Sequence, residues 1–88
     1  MAQVKAFSIG GIRMVFLSGD HGPPHFHASR AGEWCAKVYF LERAAQMIEL
    51  IRPPGATIKG GDRKAIIEGV EETREALLRE WEQSQGLP

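Results

Sequence analysis

Apolar positions along this chain fall into two rhythms. Up to about residue 51 they come in short runs rich in branched and aromatic side chains; from Ile66 onward they recur at helical spacing. "IRMVFL", residues 12–17, reads as a strand. It is apolar on both faces apart from Arg13, which predicts a central place in a sheet. "SGDHGPP" breaks it, and Pro23 and Pro24 belong outside any central strand. "HFHASR" and "EWCAKVYFLE" then form a predicted hairpin around Ala31-Gly32. A two-residue loop puts Arg30 opposite Glu33, Ala28 opposite Cys35 and His27 opposite Ala36. In that register His25, His27 and Ser29 share a face with Trp34, Ala36 and Val38, while Phe26, Ala28 and Cys35 share the other. A three-residue loop reverses the second strand.

"AQVKAFSI" is a first strand or an extended arm, closed by a turn at Gly10-Gly11. "AQMIELI" reads as strand or short helix, its branched residues and the following "RPPG" favouring strand, and "GATIKGG" is a loop. Asp62 sits where an N-cap belongs, opening a helix that runs to about Ser84 with Gly86 as its stop. Ile66, Val70, Leu77 and Trp81 fall on one stripe of it. Gly69 weakens that helix by about 1 kcal/mol relative to alanine. The pattern predicts one α+β domain over residues 1–88: a mainly antiparallel sheet of four to five strands packed by one long C-terminal helix, 62–84. Its expected core is Ile12, Met14, Phe16, Phe26, Val38, Phe40, Ile66, Val70, Leu77 and Trp81.

Composition narrows the function classes. Eleven basic and eleven acidic residues leave no net charge, which removes the broad electrostatic footprint of a nonspecific nucleic-acid binder but leaves room for a local basic patch. The lone Cys35 cannot form an internal disulfide, and its apolar run suggests an inert core thiol. The apolar stretch from Phe7 to Leu17 is too short to cross a bilayer. A cytoplasmic protein with no membrane partner is expected.

All three histidines fall within "DHGPPHFHA", residues 20–28. Three chemistries are open to them. One is a divalent transition metal, with His25 and His27 from one strand face and His21, Asp20 or Glu33 completing the set. Another is acid–base cleavage of RNA by His21, His25 and His27, with Arg13, Arg30, Lys37, Arg63 and Lys64 holding phosphates. The third is purely architectural, a rigid corner in which imidazoles bond backbone carbonyls. Arg63-Lys64 oppose the helix dipole, which hints at an acidic or phosphate-bearing partner. Whether the chain is an enzyme stays open.

"HGPPHFHA", "IRMVF" and "EWCAKV" together resemble the signature of small bacterial proteins grouped as domain of unknown function 4160. The basic pair Arg63-Lys64 and the helix end "EALLREW" also match, so the resemblance spans roughly residues 5–83. The segment "ERAAQMIELIRPPGATIKGGD" is longer and more apolar than the family pattern. The resemblance implies a component of a two-gene, toxin–antitoxin-like module, acting by binding a small partner protein from an adjacent gene, RNA, or both.

Overall fold

The computed structural model describes residues 1–19 and 21–86. The strands are β1 (Ala2–Gln3), β2 (Arg13–Phe16), β3 (Phe26–Arg30), β4 (Trp34–Val38) and β5 (Ile48–Arg52); a single turn, α1 (Ala44–Met47), precedes β5, and α2 (Gly60–Ser84) closes the chain. The strands form one antiparallel sheet in the order β1-β2-β3-β4-β5. Each strand therefore pairs with its neighbour in sequence, the arrangement that short connections favour.

α2 lies along one sheet face and buries Ile66, Val70, Leu77 and Trp81 against it. All ten expected core residues are buried, joined by Val4, Ala28, Trp34, Ala36 and Met47. Phenylalanine dominates the centre. Phe16 meets Phe26 and Phe40 edge-on, with ring centroids 6.1 and 6.3 Å apart, and Phe26 stacks on Phe40 at 6.4 Å. Offset and edge-on arrangements of this kind suit the ring quadrupole.

The hairpin differs from its expected register. The loop has three residues, 31–33, so Ser29 pairs with Cys35, Ala28 with Ala36 and His27 with Lys37. The Glu33 N–H bonds the Arg30 carbonyl at 2.9 Å, and Gly32 takes φ 76° at the third turn position, where only glycine is at ease. One extra loop residue moves every β4 side chain to the opposite face. Trp34, Ala36 and Val38 join Phe26 and Ala28 in the core. Cys35 moves to the other side, half-buried rather than in the core.

The start of α2 differs too. It begins at Gly60 with Lys59 as N-cap and no side-chain cap bond. Asp62 lies in the first turn and gives its carboxylate to Arg30, whose Nε and Nη2 donate to both oxygens at 2.9 Å. Gly11, at φ 79°, has no side chain to obstruct the Arg30 guanidinium lying against it. Gly69 has a similar reason to be glycine, because a Cβ there would run into the Phe7 ring. The ambiguous "AQMIELI" resolves into both options in turn, with Ala44–Met47 helical and the strand starting at Ile48. α2 bends at Thr73 (φ −132°, ψ 20°), whose hydroxyl donates to the Gly69 carbonyl at 2.6 Å. Side-chain insertion into the helical hydrogen-bond ladder bends helices in this way.

Candidate functional site

The sheet face opposite α2 carries polar side chains in transverse rows, because strand pairing sets residues of equal register side by side. One row runs Arg13, Ser29, Cys35, Arg52 across β2, β3, β4 and β5. The next runs Val15, His27, Lys37, Glu49. Arg52 reaches the first row through a register shift at Cys35/Ala36. Beyond the end of β4, the Tyr39 hydroxyl donates to Glu49 Oε1 at 3.1 Å. Val15, His27, Ser29, Cys35, Lys37 and Tyr39 are all half-buried, and Arg13, Glu49 and Arg52 are exposed.

The histidines part company. His25 lies just ahead of β3 and is only 2% exposed. Its Nδ1 stands 2.8 Å from the Pro23 carbonyl. A carbonyl only accepts, so the proton is on Nδ1. The ring packs 5.3 Å from Trp81, 5.5 Å from Tyr39 and 5.3 Å from His27. The Pro-Pro bend and the end of α2 thus fix His25 as part of the frame. His27 projects half-exposed beside Lys37, and His21 is exposed in the connecting loop. Asp20 lies outside the described residues.

Glu33 is not brought to the histidines. It occupies the hairpin tip, four residues from Lys37, a run of about 13 Å along an extended strand. Among the described residues no three of His, Cys, Asp and Glu gather into a metal-sized cluster.

The five basic candidates divide into two groups. Arg13 and Lys37 stand on the helix-free face, while Arg30, Arg63 and Lys64 lie at the start of α2. Arg30 is committed to Asp62. Its hydrogen bonds hold the Asp62 carboxyl below the usual carboxylate range, outweighing the partial loss of solvent there. The same contact raises Arg30 above the usual arginine value. Lys64 faces Glu68 at 3.8 Å, one turn along the helix. Arg63 is half-buried beside an apolar depression of about 290 Å³ lined by Ile48, Leu50, Ala56 and Ile58.

Arg52, Tyr39 and Glu49 join the face without having been singled out in the sequence. Tyr39 continues the alternation of Cys35 and Lys37, a signal present in "CAKVY". The side taken by Arg52 depends on the bulge opposite Cys35, which no local pattern announces. A larger hollow of about 350 Å³ lies at this end of the sheet, lined among others by Ser29, Trp34, Cys35, Arg52 and Pro53.

No described helix is long and apolar enough to cross a membrane. A family model described as "Domain of unknown function (DUF4160)" matches residues 11–82. No curated protein and no solved structure matches the chain.

Proposed function

This chain belongs to the domain of unknown function 4160 family, and from that premise we propose that it is the binding component of a small bacterial, cytoplasmic two-gene module of toxin–antitoxin type. The helix-free sheet face is the binding surface. The observation that carries this reading is the row Val15–His27–Lys37–Glu49, three half-buried side chains and an exposed carboxylate on a sheet face that no described helix covers. Mixed charge favours a protein over RNA as its occupant: Arg13, Lys37 and Arg52 share the face with Glu49, and the chain as a whole is neutral. RNA recognition relies more heavily on uniform positive charge.

Co-expression with the adjacent open reading frame tests the reading. The neighbour is expected to co-purify with the wild-type chain and to be lost when Lys37→Glu and Arg13→Glu are combined. Failure to co-purify, together with no change in the toxicity of either product, removes the module. Co-purification of RNA in place of protein moves the assignment to RNA.

A second reading, transition-metal binding, draws support from the 5.3 Å between the His25 and His27 rings, a separation that two imidazoles on one ion adopt. Zinc titration followed through the imidazole resonances tests it. Unmoved His27 signals at one equivalent of zinc reject it.

A further inference from the structure

We propose that two copies of this chain join through their β5 edges to make one continuous sheet. β5 ends the strand order, and no described strand pairs with its outer side. Its backbone polarity follows from the β4 ladder. The Tyr39 N–H donates to the Met47 carbonyl at 2.7 Å. Hydrogen-bonded pairs alternate along an antiparallel ladder, so Lys37–Glu49 is the next bonded pair. The N–H and C=O groups of Ile48 and Leu50 therefore point away from β4, toward the open edge. An edge of this kind is a template for another strand.

The sequence of β5 selects its occupant. Pairing by a two-fold axis must place outward-facing residues opposite one another. An axis at Glu49 satisfies that rule but sets two carboxylates face to face. An axis at Leu50 joins the two Leu50 backbones by a pair of hydrogen bonds. It also sets Glu49 of each copy opposite Ile51 of the other, with Arg52 next to it. Arg52 has no ion-pair partner among the described residues, and Glu49 is exposed. Ile51, 41% exposed on the single chain, would be covered. On the helix side the two Leu50 side chains would meet beside the depression formed by Ile48, Ala56 and Ile58. β5 is thus complementary to itself in backbone, charge and apolar surface. The dimer stands independently of the gene-neighbour reading, since it needs only this chain.

Sedimentation equilibrium of the full chain from 10 to 500 μM tests the proposal. A monomer–dimer equilibrium is expected, weakened at least tenfold by Glu49→Arg or by Arg52→Glu alone and restored in the double charge swap. Amide exchange of the wild type supplies a check that needs no variant: Leu50 should become more protected as concentration rises. A monomer throughout the range, a dimer indifferent to both single variants, or a swap that fails to restore association would each overturn the proposal.

Discussion

Arg30, the last residue of β3, and Asp62, in the first turn of α2, are joined by two parallel 2.9 Å hydrogen bonds across 32 positions of sequence. This fork ties the hairpin to the start of the helix. The Asp62 carboxyl is held below its usual range. A depressed acid contributes stability that is fully present above the unfolded-state pKa, near 4, and is lost as pH falls through the folded value. Urea melts of wild type and Asp62→Asn should therefore differ most near neutrality and converge in strong acid. A difference independent of pH from 7 down to 2 would mean that the ion pair contributes nothing.

Gly69 reverses the usual helix rule. In an exposed helix, glycine to alanine stabilises by roughly 0.5–1 kcal/mol. Here the new Cβ meets Phe7, whose ring packs edge-on to Phe26 with centroids 6.2 Å apart. Gly69→Ala should cost about 1–3 kcal/mol, as overpacking does. In a Phe7→Ala background the same change should stabilise. A double-mutant cycle in urea reads the sign directly, and stabilisation in both backgrounds would show that the ring does not confine this position.

His25 and His27 should separate in mutational cost. His25 is buried, bonded to Pro23 and packed on Trp81. His25→Gln is expected to lose about 2 kcal/mol or more, since a buried bond is broken and the packing disturbed. His27→Gln should cost under about 1 kcal/mol. Equal losses in thermal or urea denaturation would contradict this division between frame and surface.

Cys35 should react with a small aromatic disulfide reagent in the folded state, because its thiol sits half-buried on the helix-free face. The release of chromophore without denaturant measures it. Labelling that appears only in urea would return the thiol to the core.

Much of this fold is legible in the sequence because it rests on periodicity. Ile66, Val70, Leu77 and Trp81 mark the helical stripe, and the prolines at 23 and 24 mark where β3 is entered. The hairpin register is not legible, because a single residue of turn length decides the face of every side chain in β4, and Ala31-Gly32 fits loops of two or three. Asp62 looks like a cap by local chemistry; the residue that claims it lies in another element. At the site, the opposite roles of His25 and His27 arise from the packing of the end of α2, at Trp81, against the start of β3. Two-residue spacing alone made them appear equivalent.

The nearest-neighbour order of the sheet has a consequence during synthesis. Every strand of the sheet precedes α2 in the chain, so the sheet leaves the ribosome ahead of the helix. Its phenylalanine-rich face, however, stays bare until α2 follows. Until it does, Phe16, Phe26 and Phe40, all buried in the finished fold, lack the layer that covers them, and exposed apolar surface of that kind is what makes incomplete chains prone to aggregate.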